Sequence, residues 1–390
     1  MMVDVDGSHA GHDAALCSPA DPTGLVEDPA FLREQLITYL GNKRALLSFI
    51  GQGLYRVKQA LGKEHLDVLD LFAGSGVVAR FLKQHSRRLI ACDLERYSEL
   101  VNRCYLANAG DLDCAELAIL ADELNQQAAA APRPGPIAEL YAPVDDQQVQ
   151  PGERVFYTRD NAVRIDTLRA LIDEHLPREQ RVFLLAPLLH AASVHANTSG
   201  VFKGFYKNSE SGLGQLGGNK RNALARICRP IRLQAPVLSR FSCEVQVRRG
   251  DALQLADELP MVDLAYLDPP YNQHPYGSNY FMLNLIAERR TPVGISAVSG
   301  IPRDWNRSAF NRRRHSAAAF AQLAASLRAR YLLVSFNDEG FISQQQMLAI
   351  LSDLGPTELL ETPYNAFRGS RNLRNRSRYV RELLFVTRKG

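Results

Sequence analysis

The hydrophobic positions of the chain form short apolar runs that alternate with stretches of helical spacing. The runs are mostly apolar and end in glycine, proline or an acid, which predicts strands buried in a parallel sheet. They lie at 66–70, 88–93, 264–268, 331–336 and 382–386, and an alternating strand begins at Cys243. Helices are predicted at 46–54, 77–82, 95–109, 164–175, 183–194 and 316–330. Strands that alternate with helices indicate an α/β protein.

Two segments interrupt this alternation. Residues 1–30 mix Gly, Ala, Asp, Pro and Ser without periodicity, and we expect a flexible tail there. Residues 123–152 contain a run of glutamines and alanines followed by prolines, which predicts a linker or a surface excursion. We assign the catalytic domain to 31–110 and 243–390, and an inserted, mainly helical region to 111–242.

Composition changes this picture little. Hydrophobic residues make up 46% and charged residues 23% of the 390 residues, which is ordinary for a soluble globular protein, and the net charge of +4 does not by itself indicate nucleic acid binding. The six cysteines are scattered without a Cys-x-x-Cys pair, so we expect no metal site and a reducing cytoplasm. No apolar run approaches the roughly 18 residues of a membrane helix, and the acidic N-terminus is unlike a signal peptide.

The most informative stretch is Leu264-Ala-Tyr-Leu-Asp-Pro-Pro-Tyr-Asn272. Two prolines end the buried strand, so an acid and an aromatic ring lie at its carboxyl end, where open α/β sheets place ligands. Asp268 and the Pro269 carbonyl offer two acceptors, Pro270 fixes the loop, and Tyr271 offers a flat ring. Two acceptors beside a stacking surface fit a planar ligand with an exocyclic amino group, such as a flipped nucleobase. An ordinary Pro-Pro turn is the alternative.

A second motif follows the strand at 66–70. Gly74-x-Gly76-x-x-Ala79 nearly matches the dinucleotide fingerprint, and Asp93 lies at about the spacing of a carboxylate that holds ribose hydroxyls. A nicotinamide enzyme is therefore one alternative. Asp70 would face a pyrophosphate unfavourably, but it fits a ligand with a positive amine or sulfonium.

The turn Tyr39-x-Gly41-x-Lys43 precedes the helix at 46–54. Gly41 permits close approach of the backbone. Lys43 near a helix start conflicts with the helix dipole unless an anionic group, such as a carboxylate, lies beside it. A lysine that faces solvent is the alternative.

Basic residues are concentrated in three segments that also carry amides or aromatic rings, which fits phosphate and base contacts. Solvated loops are the alternative. The candidate DNA-binding residues are Lys203, Lys207, Lys220, Arg221, Arg312, Arg313, Arg314, Arg368, Arg371, Arg374 and Arg376.

These motifs occur in the order found in the Dam-type (alpha group, class D12) N6-adenine DNA methyltransferases, which the chain resembles over about residues 34–386. Further stretches are similar to modification methylases of the FokI kind. They are Asn197-Thr-Ser-Gly-Val-Phe-Lys-Gly204, Tyr276-Gly-Ser-Asn-Tyr280, Ser335-Phe-Asn-Asp338 and Phe367-Arg-Gly-Ser-Arg371. The FokI-like methylases tend to have Arg-Gln-Tyr where this chain has His274-Pro275-Tyr276.

The resemblance implies a doubly wound, Rossmann-like sheet, S-adenosylmethionine as methyl donor, and an insertion that reads the target sequence. It implies that Tyr39 and Lys43 contact the methionine part of the donor, that Asp93 holds the ribose, and that Asp251 lies near the donor's adenine. Asp268 and Pro269 would accept hydrogen bonds from the target N6 amino group, with Tyr271 stacked on the base. The implied cofactor-binding residues are Tyr39, Lys43, Asp70, Phe72, Gly74, Gly76, Asp93, Asp251 and Asp268.

The expected activity is therefore methyl transfer to the N6 amino group of an adenine in duplex DNA. RNA N6-adenine or DNA N4-cytosine methylation remains an alternative, because the amino-group chemistry is nearly the same. A nucleic-acid-binding module without activity is the alternative from another class. We expect a monomer in a restriction–modification system, with a separately encoded endonuclease as a candidate partner, or a solitary modification methylase.

Overall fold

The computed structural model describes residues 26–33, 36–218, 221–365 and 379–390. Within them, one sheet contains seven strands in the order β3-β2-β1-β4-β5-β7-β6. The strands are β1 (Leu66–Asp70), β2 (Ser86–Asp93), β3 (Glu244–Arg249), β4 (Val262–Leu267), β5 (Ala329–Asn337), β6 (Thr357–Asn365) and β7 (Tyr379–Arg388). The strand predicted at 264–268 is thus β4, and it ends one residue before Asp268.

The direction of the connections reverses next to β1. β1 pairs in parallel with β2 on one side and with β4 on the other, so the chain winds outward in both directions from this point. β7 lies antiparallel between β5 and β6. The doubly wound α/β fold is therefore confirmed. The gap between β1 and β4 is the switch point at which such sheets bind ligands.

Helices cover both faces of the sheet, and a further group follows β2. They are α1 (Pro29–Arg33), α2 (Leu47–Leu61), α3 (Val77–Lys83), α4 (Arg96–Tyr105), α5 (Cys114–Ala130), α6 (Pro136–Tyr141), α7 (Arg159–His175), α8 (Val182–Val194), α9 (Leu224–Cys228), α10 (Ala252–Leu255), α11 (Tyr276–Asn279), α12 (Phe281–Glu288), α13 (Ser316–Ser326) and α14 (Gln344–Ser352).

Helix α2 packs closely on the sheet at Gly53. A Cβ atom there would lie 2.5 Å from a methyl carbon of Leu333 and 2.9 Å from one of Leu384. The helix therefore rests on β5 and β7 at a distance that only glycine allows. Since α2 follows the Tyr39–Lys43 turn, this contact fixes that turn relative to the sheet.

The segment between β2 and β3 contains α5 to α9. Helices α5 to α8 share one buried core with α4 and α12 of the catalytic part, in which Tyr141 and Leu189 are fully buried. The insertion is thus packed onto the side of the sheet that carries α4 and α12.

The prediction of a linker or surface excursion at 123–152 is wrong for its first part. Residues 123–130 complete α5, in which Leu124 and Ala128 are buried, and α6 follows with Tyr141 in the core. Asn125 also donates a hydrogen bond to the Leu233 carbonyl at 3.0 Å. Alanine favours helix and packs closely, so the alanine run forms a packed helix although its glutamines face solvent.

Part of the predicted tail is also held to the molecule. Residues 1–25 lie outside the described part of the chain, whereas Phe31 of α1 is 1% exposed. Glu27 accepts a hydrogen bond from the backbone N–H of Arg240 at 2.9 Å. Residues 26–33 therefore pack against the stretch that leads into β3.

Candidate active site

Three carboxylates lie at the carboxyl edge of the sheet, because β1, β2 and β4 each end next to an aspartate. Asp70 ends β1, Asp93 ends β2, and Asp268 follows β4. Asp70 is aligned with Tyr266 of β4, so Asp70 and Asp268 come close at the switch point. The sequence placed these residues correctly at one edge.

A cavity with two lobes opens at this edge, and both lobes are lined by Tyr39, Gly41, Phe72 and Asp268. The first lobe also has Asp93, Leu94, Glu95, Asp251, Ala252, Gly277 and Asn306 in its wall. The second also has Lys43, Asp70, Gly74, Ser75 and Val77 in its wall. All the residues predicted to bind the donor, except Gly76, therefore line one cavity.

The turn between β1 and α3 depends on two glycines with positive φ, Gly74 at 52° and Gly76 at 78°. The Gly74 N–H donates to Asp93 Oδ2 at 2.8 Å, and its carbonyl accepts from Ser98 Oγ at 2.6 Å. A Cβ at Gly74 would lie 2.9 Å from the Tyr39 hydroxyl. The turn is thus held open between Asp93 and Tyr39.

Asp70 is the most isolated of the three carboxylates. It is 1% exposed, and no side chain of the described residues pairs with its carboxylate, although the backbone N–H groups of Phe72 and Ala79 act to lower its pKa. Burial, together with the charge of Asp268, raises the pKa of Asp70 well above its ordinary value. A cationic ligand in the second lobe would compensate this buried group.

Lys43 is buried, so the alternative of a solvent-facing lysine is wrong. Its side chain is 4% exposed, and Nζ lies 3.2 Å from Asp268 Oδ1 and 3.8 Å from Glu382 Oε2. Burial acts to lower the pKa of Lys43, but the two carboxylates outweigh it and hold the pKa well above its ordinary value. The anion expected beside Lys43 is therefore supplied by the protein itself.

The loop after β4 is held from two sides. The Phe341 N–H donates to the Tyr271 carbonyl at 3.0 Å, and Asn311 Nδ2 donates to the Asn272 carbonyl at 2.8 Å. The Tyr271 ring packs edge-on against Phe336 at 5.9 Å. The loop is thus fixed from the β5 side and from the segment before α13.

The acceptors of this loop are only partly used. Lys43 pairs with one carboxylate oxygen of Asp268, and no described residue donates a hydrogen bond to the other oxygen or to the Pro269 carbonyl. Burial raises the pKa of Asp268, although Lys43 opposes the shift. Two acceptors of the loop that carries Tyr271 therefore remain without a donor in the described part of the chain, although neither Pro269 nor Tyr271 lines the cavity.

Tyr39 belongs to a group of stacked rings. It stacks on Tyr276 at 5.0 Å and on Tyr280 at 4.8 Å between centroids. The Tyr280 hydroxyl accepts a hydrogen bond from the Leu40 N–H of the turn at 2.7 Å. A Cβ at Gly41 would lie 3.2 Å from the Tyr271 hydroxyl. This packing joins the Tyr39 turn to the loop after β4.

Glu95 was not predicted from the sequence. It precedes α4 and is 3% exposed, and its Oε2 accepts from Asn284 Nδ2 at 2.6 Å and from Asn306 Nδ2 at 2.9 Å. Burial raises the pKa of Glu95 to about 7. In the sequence, an acid just before a helix indicates a helix cap. The Glu95 side chain, however, makes no capping hydrogen bond to α4.

Asp251 also lines the first lobe, as its predicted place near the donor's adenine requires. Its side chain accepts from the Leu253 N–H at 2.9 Å and so caps α10. The cap fixes the carboxylate at the wall of the lobe.

Six of the basic residues predicted to bind DNA lie in the described part of the chain, and all six are exposed. They are Lys203, Lys207, Arg221, Arg312, Arg313 and Arg314. Lys203 Nζ lies 3.3 Å from His274 Nδ1, beside the loop after β4. Arg313 lies over the Phe341 ring at 5.6 Å. Lys203 and Arg313 thus flank this loop. Lys220, Arg368, Arg371, Arg374 and Arg376 lie outside the described residues.

The side chain of Asn197 holds the basic loop that carries Lys203 through three hydrogen bonds. Asn197 is fully buried, and its Nδ2 donates to the carbonyls of Val155 and Gln215 at 2.8 and 3.1 Å. Its Oδ1 accepts from the Gly217 N–H at 2.9 Å. The loop is joined to the catalytic part where Phe202 N–H donates to the Asn279 carbonyl at 2.7 Å.

The fold and the cavity together define a doubly wound α/β protein with three carboxylates at the switch point of its sheet. A family model described as D12 class N6 adenine-specific DNA methyltransferase matches residues 39–293. The chain belongs to this family, and the predicted family is confirmed. The nicotinamide, RNA, N4-cytosine and non-enzymatic alternatives are therefore set aside.

Individual relatives agree with the family. Type II methyltransferase M.NlaIII from Neisseria lactamica is 29% identical, over 90% of this chain and 99% of its own. Type II methyltransferase M.CviAII from Paramecium bursaria Chlorella virus 1 is 29% identical, over 85% of this chain and 93% of its own. Type II methyltransferase M.FokI from Planomicrobium okeanokoites is 26% identical, over 55% of this chain and 32% of its own.

No helix in the described ranges is both long and apolar enough to span a membrane.

Proposed function

We propose that this N6-adenine DNA methyltransferase uses S-adenosylmethionine as its donor and acts on an adenine flipped out of duplex DNA. The observation that carries the proposal is the pair of acceptors without a described donor, on Asp268 and on the Pro269 carbonyl, in the loop that also carries Tyr271. An exocyclic amino group has two N–H donors and fits both acceptors. An adenine inside the duplex could not reach them.

The residues of the cavity support the choice of donor. S-adenosylmethionine supplies an electrophilic methyl group on a positively charged sulfur. Asp70 is buried and has no side-chain partner in the described part of the chain, so it fits a donor with positive charge. The open turn at Gly74 leaves room for the methionine part of the donor in the second lobe. The first lobe, with Asp93 and Asp251, would hold the nucleoside.

The chemistry of the target follows from its amino group. The lone pair of the adenine N6 atom is delocalised into the ring, so the nitrogen is a weak nucleophile. Hydrogen bonds to Asp268 and the Pro269 carbonyl favour a more tetrahedral nitrogen and stabilise the positive charge that develops on it. Lys43 favours the ionised form of Asp268, which would then accept the proton that N6 must lose.

The insertion is the proposed target-recognition region. Its basic loop is joined to α11 through Phe202 and brings Lys203 beside the loop after β4. Contacts from this loop to phosphates and base edges would position the adenine for the catalytic residues.

We also infer a cellular role from the relatives named as Type II methyltransferases. The chain would act as a monomer, either beside a separately encoded restriction endonuclease or as a solitary methylase. Mapping the methylated sites on a mixed-sequence DNA, followed by a search for an endonuclease blocked at those sites, tests this role. Methylation without such an endonuclease in the same cell would favour the solitary role.

The direct test is transfer of labelled methyl groups from S-adenosylmethionine to mixed-sequence duplex DNA, with nucleoside analysis of the product. The expected product is N6-methyladenine. Asp268→Ala should lower the single-turnover rate by at least about 100-fold, because it removes the acceptor for the reacting nitrogen. Donor binding should persist, since the other walls of the cavity are unchanged.

The control is Asp122→Ala, which removes an exposed aspartate of α5 that faces Arg232 and does not line the cavity. It should leave the methylation rate within a few-fold of wild type. If Asp268→Ala methylated DNA as fast as wild type, the proposed role of Asp268 in the mechanism would be wrong.

A further inference from the structure

We propose that a groove on the side of the insertion binds a phosphate of the DNA backbone, outside the base pairs that lie over the cavity. The groove lies between α4, α8, α9 and the stretch 229–237. The inference rests on the proposed function, because it takes duplex DNA as the substrate. It adds a contact surface that includes none of the basic residues predicted from the sequence.

The wall of the groove combines cationic and apolar side chains. Arg226, Arg229 and Arg232 line it together with His190 and His195, and none of the described residues in its wall is an aspartate or a glutamate. The volume of the groove is about 590 Å³, which is in the range of sites that hold a ligand of nucleotide size. A concave surface lined by cations without acids attracts anions.

Two of the three arginines are little used by the protein itself. The Arg229 side chain is exposed, and its guanidinium forms no hydrogen bond or ion pair with any residue that the structure describes. Arg232 lies 3.8 Å from Asp122, but the two side chains are 65% and 70% exposed, so solvent weakens this pair. Both guanidinium groups can therefore pair with an anion in the groove.

Arg226 joins the groove to the basic loop that carries Lys203. Its Nη1 donates to the carbonyls of Val194 and Ala196, where α8 ends and the chain continues into this loop. His195 Nδ1 donates to the Arg226 carbonyl at 2.6 Å. The groove therefore adjoins the loop that is proposed to contact DNA.

This continuity favours the DNA backbone as the source of the phosphate. A duplex carries one phosphate for about every 3.4 Å of each strand, so a strand that lies on the basic loop also presents phosphates to its flanks. Guanidinium groups pair with phosphate oxygens through two parallel N–H donors. Because a phosphate contact carries no sequence information, the groove would raise the affinity for any duplex that is long enough to reach it.

The test measures binding of the full chain to duplex DNA over a range of salt concentrations. One duplex carries the mapped methylation site with long flanks, a second has the same flanks without the site, and a third is trimmed to the site. On both long duplexes, Arg229→Ala should reduce the slope of log affinity against log salt concentration by about 0.9. The double variant Arg229→Ala/Arg232→Ala should reduce it by at least as much. On the trimmed duplex, both variants should bind like wild type.

Arg178→Ala is the matched control. Arg178 is an exposed arginine of the insertion that precedes α8, has no hydrogen bond or ion pair with a described residue, and does not line the groove. This variant removes the same charge and should keep the wild-type slope on the long duplexes. An unchanged slope in Arg229→Ala, or an equal loss on the trimmed duplex, would overturn the inference.

Inorganic pyrophosphate tests the other source of a phosphate group. Binding of pyrophosphate that is lost in Arg229→Ala, with unchanged slopes for DNA, would assign the groove to a free phosphate compound and overturn its assignment to DNA. Failure of the wild-type protein to methylate duplex DNA would instead overturn the proposed function. The two failures are therefore distinguishable, because the slopes are measured on a duplex that the wild-type protein methylates.

Discussion

At the scale of single residues, the buried charges of the site depend on partners from distant parts of the chain. Lys43 pairs with Asp268 and with Glu382, which lies on the last strand. The motif around Lys43 predicts that an anion lies nearby, but nothing local identifies Glu382 as part of it. Only the antiparallel position of β7 beside β5 brings that carboxylate to the edge.

Lys43→Met should shift the pH dependence of methylation towards higher pH. Burial raises the pKa of Asp268 and Lys43 lowers it, so loss of the ammonium lets this pKa rise further. A protonated Asp268 loses an acceptor oxygen, so single-turnover rates at neutral pH should fall by about tenfold or more and recover as the pH rises.

Two other variants make this result specific. Glu382→Gln should move the acid limb of the profile in the opposite direction, because a negative neighbour has been removed. Lys63→Met is the matched control, since Lys63 pairs with Asp263 near the amino end of β4, away from the cavity. A Lys43→Met profile that is only scaled down, without a shift, would contradict the proposed link to Asp268.

Glu95→Gln should stabilise the protein above neutral pH. Burial raises the pKa of Glu95 from 4.5 to about 7, the Asp93 charge adds to the rise, and Asn284, Asn306 and Arg249 oppose it. The folded state thus binds more protons than the unfolded state between these values. The contribution of Glu95 to stability is full below pH 4.5 and is lost as the pH rises through 7.

The measurement is denaturant unfolding of both proteins as a function of pH. At alkaline pH the variant should be more stable by on the order of 1–3 kcal/mol, and the gap should close towards acid. Glu99→Gln should show no such gain, because it breaks the ion pair with Arg96. If the free energy of unfolding changed with pH in the same way in wild type and Glu95→Gln, the prediction would be wrong.

At the scale of elements, the sequence predicts best where burial is uniform. The buried runs of β1, β2, β4 and β5 are predicted closely, because a strand covered on both faces is apolar throughout. β6 was missed because Thr357–Asn365 is an edge strand whose polar and apolar residues mix. Helix α14 was missed although Ser343 and Gln346 form a capping box, a signal that the sequence does contain.

The basic loop of the insertion gives a prediction at this scale. Asn197→Ala should lower the affinity for duplex DNA by about tenfold or more and leave donor binding unchanged. The change removes three side-chain hydrogen bonds that hold residues 155, 215 and 217 together, at a cost of about 2–4 kcal/mol. DNA binding by fluorescence anisotropy and donor binding by calorimetry would measure the two effects.

Asn208→Ala is the control in the same loop. Its side chain accepts only from the backbone N–H groups of Glu210 and Ser211 at the loop tip. Its effect on DNA affinity should be small. An equal loss of DNA affinity in both variants would mean that the effect is not specific to the buried Asn197.

At the scale of the whole molecule, the modest net charge of +4 hides a local arrangement of cations at one edge of the sheet. Lys203 comes from the insertion and Arg313 from the segment before α13, yet both flank the loop after β4. Lys203 would contact a phosphate on one side of the flipped adenine, and Arg313 would contact a phosphate on the other side. Each contact of this kind contributes about 0.9 to the slope of log affinity against log salt concentration.

Lys203→Ala and Arg313→Ala should therefore each reduce that slope by about one unit, and the double variant by about two. Equilibrium binding to one duplex over a range of salt concentrations measures the slope. Arg87→Ala is the control, because Arg87 is equally exposed but lies at the amino end of β2, at the opposite edge of the sheet. A slope that falls with Arg87 and not with Lys203 or Arg313 would place the DNA on another face of the molecule. Slopes that fall only at the carboxyl edge would place the duplex over the cavity, where the two free acceptors can receive an adenine.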